Sequence, residues 1–296
     1  MNRALIRLLL LTVLCLAVPA VVSAADRGLV LTEELQLKLA DSFMAEREYY
    51  RAVTEYKKVL IIFPDSEQAD SVLFRIGMAY YQGDEFETAA RTFTSVGERY
   101  KESRYAPTAG YHAGLCYWRL NRLDEAAAAF ASVATRYPAS GDAPRAQLDK
   151  SLVEFDRKDL SGSRQDLERF LEIYPQDKRA EKAREALSLL DRSAELPRKS
   201  PVAAGILSAL VPGAGHLYAG HVGDGITSFF LNGLFIAGTV VAIRQENYAV
   251  AGVVGVIGLP FYIGNIYGAA NAATKWNISI RKELRGAVAV TLDSPF

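Results

Sequence analysis

A glycine-rich run at residues 211–225, VPGAGHLYAGHVGDG, carries the residue types best suited to chemistry. Its glycines are those of a phosphate-binding loop, and His216, His221 and Asp224 are metal-ligand types. A nucleotide loop needs a preceding strand and a Gly-Lys-Ser/Thr or G-x-G-x-x-G pattern, which this run lacks. Histidines five residues apart would point about 140° away from each other on a helix, and no third ligand is evident. We therefore interpret the run as a break between two membrane segments, with no cofactor and no metal.

The sequence around this run is apolar enough for a membrane. Residues 202–270 contain three charged side chains and 13 of the 22 glycines. Within them, 225–243 and 248–270 are uncharged stretches of 19 and 23 residues. Each matches a hydrocarbon core of about 30 Å, so we predict a transmembrane helical hairpin, preceded by an embedded segment at 202–219. Helical spans favour a bacterial inner membrane, because spanning proteins of the outer membrane are usually barrels.

The number of crossings is left open by the sequence. With two spans, the tail would lie on the same side as the preceding domain, and its cations would oppose the positive-inside tendency. These cations are Lys275, Arg281, Lys282 and Arg285. A third crossing by residues 202–219 would satisfy the tendency, although Pro212 and Gly213 favour a bent or re-entrant path. The positive-inside tendency leads us to expect three crossings.

Six positions of the glycine run share their spacing with a known pattern: Pro212, Gly213, Gly215, Tyr218, Gly220 and Gly225. The run resembles the small two-helix membrane module found in many bacterial proteins. The resemblance implies a membrane turn with an anchoring or assembly role and no reaction. Further along, Gly264 and Gly268 form a G-x-x-x-G row that permits close helix contact in lipid, and they predict a homo-oligomer face. Asn232 is expected near Pro260, where its amide could satisfy the carbonyl of Val256.

The first 25 residues have the pattern of a secretory signal peptide. Arg3 and Arg7 precede an apolar core, and small residues follow at Ser23, Ala24 and Ala25. A basic start, an apolar core and a small-residue end are the features that signal peptidase recognises. We therefore predict export, with an uncleaved anchor and a lipoprotein as the alternatives.

The mature protein is expected to begin near Ala25 or Asp26. Intact-mass measurement of the membrane-extracted protein checks this. A start at Met1 would indicate an uncleaved anchor instead, and a lipid adduct on Cys15 would contradict cleavage by signal peptidase.

A second pattern repeats every 37 residues through the middle of the chain. Four series of residues share this step. They are Phe63, Tyr100, Tyr137 and Tyr174; Ala40, Gly77, Gly114 and Ser151; Ala52, Ala89, Ala126 and Ser163; and Tyr56, Phe93, Phe130 and Leu167. Four series with one period indicate an internal repeat. Each unit is predicted to be a pair of helices whose small residues let the backbones approach, with Asp84 and Glu87 capping a second helix.

One repeat carries its pattern most fully, at Leu73, Ile76, Gly77, Tyr80, Ala89, Phe93 and Val96. It resembles a tetratricopeptide repeat (TPR), with a step three residues longer than the usual 34, as in periplasmic TPR proteins of outer-membrane assembly and cell-division coordination. The resemblance covers about residues 33–175. It implies an all-α fold, a TPR-like α-solenoid of about four helix pairs followed by a transmembrane helical hairpin. A capping helix is predicted from about Asp177 to Ser193.

The TPR resemblance also implies a concave partner-binding face. Its aromatic positions are Phe74, Tyr81, Tyr111, Trp118 and Phe155. Such a stripe suits an apolar or extended peptide. Packing of the same side chains between repeats, as core, is an equally weighted alternative.

The predicted organisation is therefore a signal peptide at 1–25, a TPR-like solenoid with its capping helix at 26–197, a membrane domain at 198–275 and a C-terminal tail at 276–296. The formal net charge is zero, which gives no support to nucleic-acid binding. No catalytic motif is evident. We predict a non-enzymatic, membrane-anchored TPR scaffold that contacts lipid and binds a protein partner in envelope assembly or export, from the periplasmic side of the inner membrane. The alternative is a structural subunit of a multi-spanning inner-membrane complex, with the TPR domain as a brace.

Overall fold

The computed structural model describes residues 31–193 and 196–294, and all regular secondary structure in those residues is helical. The predicted signal peptide lies outside the described residues. The chain divides into two compact units between Thr92 and Phe93. The predicted all-α fold is confirmed.

The helices follow one another in pairs at the 37-residue step and then change character. The described helices are α1 (Glu33–Ala45), α2 (Tyr49–Ile62), α3 (Ala69–Gln82), α4 (Phe86–Arg99), α5 (Ala106–Arg119), α6 (Leu123–Arg136), α7 (Ala143–Asp156), α8 (Leu160–Ile173), α9 (Ala180–Arg192), α10 (Pro201–Leu210), α11 (Ala214–Ala219), α12 (Val222–Arg244) and α13 (Tyr248–Thr291). Helices α1 to α8 are the four predicted pairs. Helix α9 packs against α8 where the capping helix was expected.

The turn inside each pair is also repeated. The second residue before the second helix of each pair has a left-handed backbone, with φ near +60° at Arg47, Asp84, Asn121 and Lys158. These positions lie 37 residues apart. An N-cap residue normally has an extended backbone, so Asp84 forms the turn and does not cap α4 as predicted.

Small residues and aromatic rings meet inside the helix pairs, as the repeat predicted. In the first unit, Ala40, Ala52 and Tyr56 lie in one buried cluster. In the second unit, Gly114 of α5 faces the Phe130 ring of α6, which is fully buried. A Cβ atom on Gly114 would lie 2.6 Å from this ring, closer than any real contact allows.

Replacing Gly114 with alanine is therefore expected to lower the free energy of unfolding by about 1–3 kcal/mol, the usual cost of overpacking. Gly97→Ala is the matched control, because a Cβ atom there meets nothing within 4 Å. Both changes gain helix propensity, so the difference between them isolates the ring contact. Thermal unfolding of the purified full chain measures it; equal melting temperatures would contradict the close helix approach.

The C-terminal helices of the second unit differ from the repeats in composition and exposure. Helices α12 and α13 contain windows long and apolar enough to cross a membrane, and only 11% and 17% of those windows are buried. This exposure is unlike that of a soluble core helix. The predicted hairpin thus corresponds to α12 and the first part of α13, which continues without a break through residue 275 to Thr291.

The segment at 202–219 contains no single helix long enough to form a third span. Helix α10 has 10 residues, about 15 Å, and α11 has six. A turn at Pro212 and Gly213 separates them. Neither helix reaches across a hydrocarbon core of about 30 Å. The number of crossings stays a prediction, while the expected bend at Pro212 and Gly213 is present in the structure.

Candidate functional site

Three of the five predicted groove aromatics lie in the second unit and are buried. Tyr111 and Trp118 on α5 are 2% and 7% exposed, and Phe155 on α7 is 2% exposed. Trp118 packs edge-on against Phe130, with ring centroids 6.2 Å apart. Part of this burial is due to a helix that the sequence did not place here, since α13 packs against α7 and α9.

Arg285 of α13 makes the central contact with this face. Its Nε and Nη2 atoms donate to the two oxygens of Asp156, at 3.1 and 3.0 Å. Its guanidinium carbon lies 5.6 Å from the centre of the Trp118 ring. Trp118 Nε1 donates to the same Asp156 carboxylate at 2.9 Å. One carboxylate therefore ties the aromatic residue of α5 to the arginine of α13.

Arg281, one turn earlier on α13, makes a ring contact on the next helix of the face, without the carboxylate pair that Arg285 has. Its guanidinium carbon lies 5.6 Å from the centre of the Phe155 ring. The distances of both arginines fall within the range of cation–π attraction.

The end of α13 lies beside acidic and basic groups of the same unit. Tyr111 Oη donates to Asp149 Oδ2 at 2.6 Å. Burial raises the pKa of Asp149 to about 6, against the opposing effect of the Tyr111 hydrogen bond. Lys182 of α9 forms an ion pair with Asp293. The residues after 275, predicted as a tail, are thus attached to the third and fourth repeats.

The remaining two groove aromatics, Phe74 and Tyr81 on α3, lie in the first unit. Both are half-buried, and the Tyr81 ring packs edge-on against Phe86 at 5.6 Å. The sequence offered groove and core as equal alternatives. The structure divides the residues between a half-exposed pair in the second repeat and a buried set, in which the rings of Trp118 and Phe155 contact the C-terminal helix.

Several glycines of the predicted membrane turn have a left-handed backbone or lie at close backbone crossings. Gly213 and Gly220 have φ of +86° and +88° and flank α11 on its two sides. A Cβ atom on Gly213 would lie 2.0 Å from the carbonyl oxygen of Gly225, and one on Gly215 would lie 1.8 Å from that of Ala204. The run is glycine-rich because backbones cross here at contact distance.

Two other members of the turn have separate roles. Pro212 is half-buried in the bend before α11. Tyr218 Oη accepts a hydrogen bond from the Ser200 backbone N–H at 2.9 Å, which ties the end of α11 to the start of α10.

Asn265, which the sequence did not single out, holds the turn against α13. It is buried, its Oδ1 accepts from the Gly213 N–H at 2.9 Å, and its Nδ2 donates to the Ser208 carbonyl at 3.0 Å. The Gly215 N–H donates to Ser208 Oγ at 3.1 Å. An amide within an apolar helix was the available signal, because such a group needs internal partners in lipid.

The histidines of the run have different surroundings. His216 is buried with its ring 3.1 Å from the Cβ position of Gly268, whereas His221 Nδ1 lies 3.2 Å from Asp224 Oδ2. Gly268 thus makes room for His216 within the chain, while a Cβ atom on Gly264 would meet nothing within 4 Å. The predicted G-x-x-x-G row is therefore divided between an internal contact and an open position.

The hypothesis for Asn232 was wrong in its partner. Asn232 is buried, but its Nδ2 donates at 2.8 Å to the carbonyl of Ser228, one turn earlier on its own helix. The amide satisfies a carbonyl of α12 and not that of Val256.

Comparison with known proteins agrees with the repeats. Two tetratricopeptide-repeat family models match, one over residues 34–66 and the other over 74–141. These parts of the chain are TPR repeats, and TPR arrays generally serve as non-catalytic scaffolds for protein–protein interaction. No curated protein matches the chain.

Several solved structures match the chain at low identity and with TM-scores below 0.5. A tetratricopeptide repeat protein from Parabacteroides merdae is 15% identical over 86% of this chain and 98% of its own, with a TM-score of 0.46. The pilF protein of Pseudomonas aeruginosa is 12% identical over 83% of this chain and 97% of its own, with a TM-score of 0.42. The Rap conjugation gene regulator of plasmid pLS20, solved with the Phr* peptide, is 17% identical over 93% of this chain and 86% of its own, with a TM-score of 0.37.

Proposed function

We propose that this chain is a non-enzymatic TPR scaffold, anchored in the bacterial inner membrane, that binds a protein partner in the periplasm for envelope assembly or export. The observation that carries the proposal is the continuity of α13. One helix runs from an apolar window into contact with Trp118 and Phe155 of the repeats. A membrane anchor and an interaction domain are thereby joined without a flexible linker.

The attachment of α13 to the repeats favours a two-span topology. A helix that leaves the membrane and contacts the repeats must emerge on their side. The turn at residues 245–247 then lies on the opposite, cytoplasmic face, and the predicted signal peptide assigns the repeats to the periplasm. The cations of α13 lie outside against the positive-inside tendency, and the contacts of Arg281 and Arg285 with the repeats provide a compensating interaction.

The proposed domains are the TPR-like solenoid at 26–197 and the membrane domain at 198–275. The segment at 276–296 attaches the membrane domain to the solenoid. The partner is expected on the half-exposed aromatics Phe74 and Tyr81.

The alternative function, a structural subunit of a multi-spanning complex, has its own supporting observation. Large apolar side chains of the hairpin are exposed, among them Phe230 and Leu234 of α12. Lipid accounts for these surfaces in the scaffold proposal, and neighbouring subunits account for them in the alternative.

Photocross-linking in native membranes separates the two. A photoreactive phenylalanine analogue at Phe74 or Tyr81 of the full chain is expected to cross-link a protein, whereas the same analogue at Phe230 or Leu234 should yield lipid adducts. An analogue at Lys58, exposed on the second helix of the first pair, is the control. Protein adducts from α12 alone would refute the scaffold and support the subunit.

A further inference from the structure

The contacts of Arg285 form a site suited to arginine in particular. Asp156 receives two parallel hydrogen bonds from one guanidinium, and the Trp118 ring lies against the same group. A planar guanidinium satisfies both contacts at once, whereas the ammonium of lysine is a point charge without a fork. Asp156 is further oriented by Trp118 Nε1, so the site is built by the repeats and not only by α13.

A second arginine position and an apolar position extend the site along the helix. Arg281 lies over Phe155, four residues before Arg285, so both arginines project from one face of α13. Four residues further on, Ala289 is buried together with its neighbour Val288. The pattern that this face accepts is a helix with two arginines one turn apart and a small apolar residue one turn later.

The contact has the properties of an exchangeable interface. The side chains of Arg285 and Asp156 are 22% and 26% exposed, so water reaches the ion pair. Lys282 and Glu283, between the two arginines on the same helix, are exposed. A partly solvated pair is worth much less than a buried one, so a competing helix with the same pattern can replace it.

We propose that the concave face of the third and fourth repeats is a receptor for a basic helix bearing two arginines one turn apart, and that the end of α13 is its built-in occupant. Access for a partner helix then requires release of residues 276–294. Release of this helix would regulate the scaffold, so the inference rests on the proposed function. It names the class of partner that binds the face of the third and fourth repeats.

The test uses the full chain in nanodiscs and a fluorescent synthetic peptide of residues 276–294. The released variant carries Arg281→Ala and Arg285→Ala together. It is expected to bind the peptide at least tenfold more tightly than the unmodified chain. Lys282→Ala is the matched control, since it removes a cation from the exposed face of the same helix and should leave peptide binding at the level of the unmodified chain.

Two further arms test the chemistry of recognition. In the released background, Asp156→Asn should weaken peptide binding at least tenfold. A peptide with lysine at both arginine positions should also bind at least tenfold more weakly, and this arm needs no additional change in the protein. Equal binding to released and unmodified chains, or equal binding of the lysine peptide, would overturn the proposal.

The outcome also distinguishes this inference from the proposed function. Peptide binding without protein cross-links from Phe74 or Tyr81 would support the receptor and refute the envelope scaffold. Protein cross-links without arginine-dependent peptide binding would support the scaffold and refute the receptor.

Discussion

The Gly215→Ala chain is expected to lose its folded membrane domain. The added Cβ atom would lie 1.8 Å from the Ala204 carbonyl oxygen and 2.7 Å from Ser208 Oγ. The first of these is backbone inside α10, so relief requires moving the whole helix. Overpacking against movable side chains costs about 1–3 kcal/mol, and a clash with backbone should lie at or beyond the upper end.

Monodisperse yield after detergent extraction and the melting temperature measure this effect. Gly223→Ala is the control, because a Cβ atom there meets nothing within 4 Å. If the Gly215 and Gly223 variants gave equal yield and equal melting temperature, the close crossing of α10 and α11 would be refuted.

The second large effect is expected from Trp118→Ala, which should lower the free energy of unfolding by about 3–5 kcal/mol, as truncation of a buried aromatic does. The change removes the packing against Phe130, the ring beneath Arg285 and the donor to Asp156. It should also make the end of α13 sensitive to protease, because its central contact is gone.

Two variants place this result in context. Trp118→Phe keeps a ring but loses the donor, so it should cost less stability than the alanine variant. Tyr81→Ala, at the half-buried counterpart in the second repeat, should also cost less. Chemical denaturation with limited proteolysis provides both readouts. Unchanged stability and unchanged protection of α13 in Trp118→Ala would show that Trp118 is an open groove residue after all.

The repeat architecture could be predicted from the sequence because its causes are local and periodic. Small residues such as Ala52 and large ones such as Tyr56 recur every 37 residues, and each recurrence marks a helix-pair contact. The left-handed turn residues follow the same period, but arginine and lysine, as at Arg47 and Lys158, rarely adopt a positive φ. These turn conformations could therefore not be predicted from residue type.

The occupied face could not be predicted, because its contacts join residues far apart in the chain. Arg285 and Asp156 are separated by 129 positions, and neither belongs to a motif. The residues after Lys275 have the sequence of a charged tail, because the residues that Arg281 and Arg285 contact lie far away in the repeats. The aromatic stripe was singled out by its repeat period, but part of its burial is due to this distant helix.

In the C-terminal region, composition predicted two successive apolar helices, but not the polar contacts or the continuation of α13 to Thr291. The Asn232 hypothesis chose a partner across the hairpin, whereas a carbonyl one turn away on the same helix was closer. Charge counting favoured three crossings, because it treats Arg281 and Arg285 as solvated cations. Their contacts with aromatic rings and with Asp156 remove that premise.

Single-cysteine labelling in intact inner membranes tests most directly whether the repeats and the end of α13 share one side. Cysteine is placed at Glu46 in the repeats, at Gln245 in the turn between α12 and α13, and at Glu283 on the exposed face of α13. Native Cys116 should stay silent, because it is buried and burial raises the pKa of its thiol to about 12. With a membrane-impermeant maleimide applied from the periplasm, the Glu46 and Glu283 positions should be labelled and the Gln245 position protected until the membrane is permeabilised. Labelling at Glu46 with protection at Glu283 would contradict the account, since the C-terminal helix could not then reach the repeats.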